Sequence, residues 1–162
     1  MFCFIKGICN RQDNIQENKI METELELAKK EMKERTKTNE GLRLKPYRCP
    51  ANKLSIGYGR NLEDNGISKE EAEILLDHDI QTAEKELKQN FPWTEEMSAR
   101  RKYVLVEMVF NMGIAKFKQF KNMLSACQYG DFEKASIEAK NSLWAKQVGK
   151  RADTLIEILK EG

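Results

Sequence analysis

Three residues have types and spacings that suit chemistry. Glu40 precedes Gly41 at a helix–hairpin junction, eight residues separate it from Cys49, and five more separate Cys49 from Ser55. A carboxylate at a helix C-terminus opposes the helix dipole, so its presence there invites a functional explanation. The remaining composition narrows the options. There is one histidine, His78, flanked by Asp77 and Asp79 on a helix, where a surface position is expected. A Ser-His-Asp triad and multi-histidine metal sites are therefore poor fits. The four cysteines, Cys3, Cys9, Cys49 and Cys127, contain no CxxC pair, which argues against a zinc ribbon or a thioredoxin-like site. Neither a metal nor another cofactor is expected. Acid–base chemistry by a carboxylate is what remains if the chain is an enzyme.

The elements that must hold these groups follow from local pattern. The chain has 162 residues, of which 40% are hydrophobic and 33% charged, enough for one domain with its own core. From about Gln12 to Thr38 it is charge-dense, which predicts a solvated helix ending near Thr38–Glu40. Leu25, Ala28 and Met32 supply only a narrow apolar stripe. Gly41, Pro46, Pro50, Gly57 and Gly59 exclude a long helix over the next stretch. Leu42, Leu44 and Tyr47 suggest a strand, Pro50–Lys53 a turn, and Leu54–Gly59 the returning strand, with a third short strand through Arg60–Leu62. Ser68 to Glu71 reads as a capping box opening a helix over 69–89, with Ala72, Leu75, Leu76, Ile80, Ala83 and Leu87 as its apolar stripe. Further helices are expected after Ser98, through Phe117–Cys127, after Asp131 with Phe132, Ala135, Ile137 and Ala139 inward, and from Arg151 to Leu159. Cys127 is read as an inert core thiol. The fold class is α+β, mainly helical: a small β-hairpin lobe and a larger helical lobe joined by a long helix. The boundaries are an N-terminal extension over 1–31, partly helical or disordered, and a domain over 32–162. That domain divides into a β-lobe at about 41–67, a bridging helix at about 69–89 and a helical lobe at about 93–160.

Glu40-Gly-Leu-Arg-Leu-Lys-Pro-Tyr-Arg-Cys49 followed by Ser55-Ile-Gly-Tyr-Gly59 resembles the phage-type lysozymes of glycoside hydrolase family 24, whose signature is Glu, eight residues, Asp or Cys, five residues, Thr. The resemblance continues in Met108-Val-Phe-Asn-Met-Gly113, Phe120-Lys-Asn-Met-Leu124, Ser142-Leu-Trp144-Ala-Lys-Gln147 and Arg151-Ala152. It spans roughly residues 33 to 160. It implies a lysozyme that hydrolyses the β-1,4 bond between N-acetylmuramic acid and N-acetylglucosamine in peptidoglycan. Such cleavage needs an acid on the leaving oxygen and activation on the opposite face. By family match Glu40 is the general acid, Cys49 stands where members carry Asp or Cys, and Ser55 replaces the threonine that helps to place the attacking water. Base, stabiliser and nucleophile all remain open for Cys49. An ordinary thiol is mostly neutral at pH 7, and Arg43, Lys45 and Arg48 are the nearby cations that could favour its thiolate. Arg151 matches the arginine near the acid. Phe110 and Asn111 match saccharide-cleft positions. Arg60 stands where the family commonly has histidine. Asn61, Met123 and Glu138 depart from the contacts known in the T-even phage member, although Asn61 and Arg60 stay in the substrate-binding set.

Other readings compete on the same residues. A lytic transglycosylase would cleave the same bond without water, and a non-catalytic peptidoglycan-binding module would keep the fold alone. The net charge of +2 is too near balance to point to nucleic acid, and residues 93–162 reach only +3. The expected partner is the peptidoglycan glycan strand, with no nucleic acid and no stable membrane span, and the chain is expected to be a monomer. Residues 1–9 are apolar but too short for a convincing export signal. Synthesis in the host bacterial cytoplasm and action on the wall in the periplasm or outside would then depend on a holin for access. Some related secreted lysozymes block a catalytic cysteine by a disulfide, which leaves Cys3 or Cys9 as potential caps on Cys49.

Overall fold

A computed structural model describes the backbone of residues 5–162 and the side chains of residues 19–162. The element order is α1 (Ile5–Glu40), β1 (Arg43–Arg48), β2 (Leu54–Gly57), β3 (Arg60–Asn61), α2 (Leu62–Asn65), α3 (Lys69–Asn90), a 3-10 turn (Pro92–Glu96), α4 (Ala99–Met112), α5 (Ile114–Phe117), α6 (Lys121–Gln128), α7 (Phe132–Lys140), α8 (Leu143–Val148) and α9 (Lys150–Glu161). The mainly helical α+β class is as expected. Two compact units divide the chain, residues 1–67 and 68–162.

In the first unit, α1 runs without interruption across residue 31. Its exposed face carries the short-range pairs that its charge density implies, Lys29 to Glu26 at 2.8 Å and Lys37 to Glu34 at 2.7 Å. Leu25 and Met32 are exposed. Gly41 ends the helix with φ +68°, its amide donating to the Lys37 carbonyl at 3.0 Å; a left-handed residue at this point favours glycine. The three strands form an antiparallel sheet in the order β1-β2-β3. Arg48 pairs with Leu54 and Tyr47 with Ser55, but the register shifts before Arg43 meets Gly57. Pro46 lies within that irregular stretch, where its missing amide cannot serve a regular ladder. Ser55 is the only fully buried residue among the described side chains of this unit. Hydrogen bonds rather than an apolar core must therefore fix its geometry.

The second unit holds the apolar core. Ser68 forms the capping box with Glu71 as anticipated: its amide donates to the Glu71 carboxylate at 2.7 Å and its hydroxyl accepts from the Glu71 amide at 3.2 Å. Leu87, Leu105, Met108, Val109, Phe117, Met123 and Leu159 are its most enclosed side chains. An aromatic ladder threads the unit: Phe91 packs edge-on to Phe117, Phe117 stacks with Phe120, and Phe120 meets Trp144 edge-on at 6.3 Å. Lys102 is drawn between Glu84 and Glu95, which hold its ammonium above the ordinary lysine value.

Three expectations about this unit need correction. Ala72, Leu75 and Leu76 are exposed, although Ala83 and Leu87 on the same helix are buried. At about 1.5 Å per residue, the 14-residue α4 cannot cover the whole of the 22-residue α3 it packs against. Ile137 is exposed and Ser136 buried. With Phe132, Ala135 and Ala139 facing in, the helical period places residue 136, not 137, on the same stripe. The single helix expected through Phe117–Cys127 is two, α5 and α6, separated by Lys118–Phe120. The core contrast is measurable. Leu87→Ala should destabilise the protein by about 2–5 kcal/mol in urea unfolding, and Leu75→Ala by less than about 0.5 kcal/mol.

Candidate active site

Glu40, Cys49 and Ser55 all lie in the first unit, where local chain geometry sets Cys49 and Ser55 in one turn and Glu40 against Gly59. The loop after β1 is a three-residue hairpin connection. The Asn52 amide donates to the Cys49 carbonyl at 2.8 Å, and the Cys49 amide donates to the Lys53 carbonyl at 3.0 Å. Asn52 takes the left-handed conformation this loop type requires, with φ +60°. Asparagine tolerates that region better than other residues with a Cβ atom. Cys49 is thus the hinge at which β1 turns back.

The same turn sets the character of the thiol. The Lys53 amide is the main contributor, with the Ala51 amide and the Ser55 hydroxyl beside it; together they favour the thiolate and hold Cys49 below the ordinary thiol value against some desolvation. Arg43, Lys45 and Arg48 do not supply this effect. Arg43 lies over the Tyr47 ring at 4.3 Å, and Arg48 donates to the Asn52 carbonyl at 2.7 Å. Backbone amides, and not the neighbouring cations, favour the thiolate. Ser55, 2% exposed, donates its hydroxyl to the Lys53 carbonyl at 3.4 Å and is among the groups that favour the thiolate.

Glu40 ends α1, and its carboxylate rests against the turn between β2 and β3. A Cβ atom at Gly59 would lie 2.9 Å from Glu40 Oε2 and 3.4 Å from its Cδ. Gly59, with φ +78°, thus leaves the space that the acid occupies. Two glycines in a strand signal close backbone approach to a strand or a ligand; at Gly59 what approaches is the Glu40 side chain. Gly57 has a similar φ of +68° but open space around it.

The other candidates separate by unit. Arg60 and Asn61 form β3. Arg60 donates to the Gly66 carbonyl at 2.8 Å, and the Asn61 side chain caps α2 by accepting from the Asp64 amide at 3.0 Å. In the second unit Arg151 is gripped by Glu107, with its Nη2 at 2.7 Å and its Nε at 2.9 Å from one carboxylate oxygen. Glu107 was not anticipated; a lone acidic residue on an apolar helix was the available signal. Phe110, 41% exposed, lines a hollow of about 250 Å³ with Tyr103, Glu107 and Arg151. Asn111 lines a different groove of about 880 Å³ and accepts from the Trp144 indole at 3.0 Å. Met123 and Glu138 line that groove too, and Glu138 accepts from Asn122 at 3.2 Å. His78 is exposed. Among the described residues, no group of three or more His, Cys, Asp or Glu side chains is placed to hold a metal ion. The notion of a disulfide cap on Cys49 falls on Cys3 and the Cys9 side chain, which lie outside the described residues.

Residues 37–158 match the family model described as phage lysozyme. The chain is 35% identical over 121 residues to an endolysin of Acyrthosiphon pisum secondary endosymbiont phage 1, covering 71% of this chain and 79% of that protein. It is 25% identical over 160 residues to the probable T4-type lysozyme 2 of Dictyostelium discoideum, covering 81% and 94%. It is also 32% identical over 114 residues to the pre-baseplate central spike protein Gp5 of Enterobacteria phage T4, covering 67% of this chain and 20% of that protein. The chain therefore spans about a fifth of the spike protein's length. The class so defined is a glycoside hydrolase of the lysozyme type. The chain belongs to the phage lysozyme family.

Two outcomes follow from this geometry. Gly57→Ala and Gly59→Ala should each cost about 1–2 kcal/mol through left-handed strain, but only Gly59→Ala should displace the Glu40 carboxylate and lower lytic activity by about tenfold or more. Equal losses of activity in a turbidity assay would contradict this. Peptide-resolved alkylation of the native protein should label Cys49 readily at neutral pH and leave Cys127 unlabelled, because burial pushes the Cys127 thiol up to about 12.

Proposed function

We propose that the chain hydrolyses the β-1,4 bond between N-acetylmuramic acid and N-acetylglucosamine by a single displacement with inversion. Glu40 gives its proton to the glycosidic oxygen as the bond to the anomeric carbon breaks. A water on the opposite face attacks that carbon, losing its proton to the Cys49 thiolate, while the Ser55 hydroxyl orients the water. The products are an N-acetylmuramic acid end in the inverted configuration and a free 4-hydroxyl on N-acetylglucosamine. Solvent then returns the proton to Glu40 and removes it from Cys49. Supporting this reading is one observation above the others: the thiol at the family's Asp-or-Cys position is held by turn amides and the buried Ser55 hydroxyl in a setting that favours its anion. A base must be deprotonated to act, and this environment supplies the condition.

Phe110, Asn111, Asn61 and Arg60 are proposed to contact the glycan, and Arg151 to support the acid. The protein acts as a monomer on the cell wall, with no nucleic-acid partner. Among the described residues no helix is long and apolar enough to cross a membrane, and we infer that a holin gives it access to the wall from the host cytoplasm.

The reading is tested by lysis of outer-membrane-permeabilised cells together with mass spectrometry of the digested wall. Glu40→Gln should lower the rate about 10²- to 10⁴-fold with folding retained. Cys49→Ala should also lose activity, while Cys49→Asp, which restores a carboxylate, should keep it. The rate should fall as pH drops through the Cys49 titration, because protonation removes the base. That limb should lie below the range of an ordinary thiol and move lower still in Cys49→Asp. Anhydro-muramic ends in the digest would instead identify a transglycosylase.

A further inference from the structure

The first unit lacks an apolar core among its described side chains, yet Cys49 sits in a closed loop whose amides favour its thiolate. Something has to hold that loop, and the contacts on either side of it converge on α2. Arg48, immediately before Cys49, donates through Nη1 to the Asn52 carbonyl at 2.7 Å, and the same nitrogen lies 3.6 Å from Glu63 Oε2. The Leu54 amide, immediately after the loop, donates to that same Glu63 oxygen at 3.0 Å. Lys53 reaches Asp64 Oδ1 at 2.8 Å. Asn61 fixes the start of α2 by accepting from the Asp64 amide at 3.0 Å and donating to its Oδ2 at 2.8 Å. Residues 48, 53 and 54 are thus tied to two adjacent carboxylates on one short helix.

The position of Glu63 explains why a side chain is needed. β3 pairs with β2 only at Ser55–Asn61 and Ile56–Arg60. The chain then leaves the sheet for α2, so no further β3 carbonyl can reach Leu54. The Glu63 carboxylate supplies the missing acceptor.

We propose that Glu63 is a positioning residue for the reaction: by accepting from the Leu54 amide and engaging Arg48, it holds the 49–53 loop in the shape that directs the Ala51 and Lys53 amides at the Cys49 sulfur. This rests on the reading of Cys49 as the group that activates water. The charged groups around the loop are Arg48 on β1, Lys53 in the loop itself, and Glu63 and Asp64 on α2, and each is engaged by an opposite charge. Asp64 is correspondingly held below the ordinary carboxylate range by Lys53 and Asn61. The influences on the thiol are the turn amides and the Ser55 hydroxyl rather than these charges. The exposed Arg48–Glu63 ion pair is itself weak; the acceptor for Leu54 is the stronger hold.

The test measures the pH profile of Cys49 alkylation by iodoacetamide in the full chain, resolved by peptide mass spectrometry, beside the kinetics of cell-wall hydrolysis. Glu63→Ala should move the profile of Cys49 upward, towards the ordinary thiol value of about 8.5, and lower kcat several-fold with KM little changed. Glu63→Gln, whose amide oxygen can still accept from Leu54, should restore the profile and most of the rate. A wild-type profile in Glu63→Ala overturns the proposal, and so does a Glu63→Gln profile displaced as far as that of Glu63→Ala. Should Glu63→Ala also expose Cys127 to alkylation, marking loss of the fold, Glu63→Asp, whose carboxylate is one methylene too short to reach the Leu54 amide, decides: an upward displacement supports the proposal and an unchanged profile overturns it. Normal lysis by Cys49→Ala would sink the water-activating role of the thiol, while the effect of Glu63 on the alkylation profile would still stand or fall by itself.

Discussion

The pairing of the Cys49 amide with the Lys53 carbonyl closes a loop of three residues, and much of the candidate site depends on that closure. It turns β1 back on itself at the cysteine, in a turn whose amides favour the thiolate. It places Ser55 two residues beyond the point of closure, on β2 and opposite Tyr47. A partial positive charge from oriented amides is fixed in the backbone, and unlike a lysine or arginine side chain it has no rotamer freedom to lose. The thiol in this chain is thus supported by geometry that the turn itself creates.

That arrangement has a consequence for stability. The second unit follows the usual pattern of a helical core, with Phe117, Leu87 and Leu105 enclosed and an aromatic ladder crossing it. The first unit has almost nothing of the kind. Leu42, just before β1, and Leu44 on it are exposed, and Ser55 is the one enclosed side chain among those described. Order there comes from capping, turn closure, side-chain acceptors and glycines that permit close approach. Such interactions are directional, so they fix positions well while contributing only about 0.5–1.5 kcal/mol each. A site that must hold an acid against a hairpin and a thiol under an amide gains from directionality more than from bulk burial.

The two units also differ in how their candidate residues are coupled. In the first, Glu40 and Gly59 are matched sterically, and Cys49 and Ser55 share the Lys53 carbonyl as hydrogen-bond acceptor. In the second, Arg151 is anchored by Glu107 and Asn111 by Trp144, while Phe110 keeps an exposed ring. Each of those polar side chains is held by a partner in its own unit, which restricts its rotamers.

Much of this was legible in the amino-acid order. Spacing singled out Glu40, Cys49 and Ser55 as candidates; the capping box at Ser68, the hairpin and the cap at Asp131 follow from local rules that act over a few residues, and the structure has them. The helical stripe on α3 was legible only in part. Its period is written in the sequence, but where its cover ends depends on the length of α4. Ile137 shows the same limit, since an apolar residue one step off the stripe cannot be assigned a face until its neighbours are packed. What only the tertiary structure decided is the partner of each polar group. Arg48 was a plausible source of positive charge for Cys49 by sequence, yet it turns to Asn52 and Glu63, and the amides of Ala51 and Lys53 take that role. The physical reason is that a sequence fixes which residues can donate or accept, whereas a hydrogen bond needs atoms brought to about 3 Å at the right angle, and only the folded chain sets that.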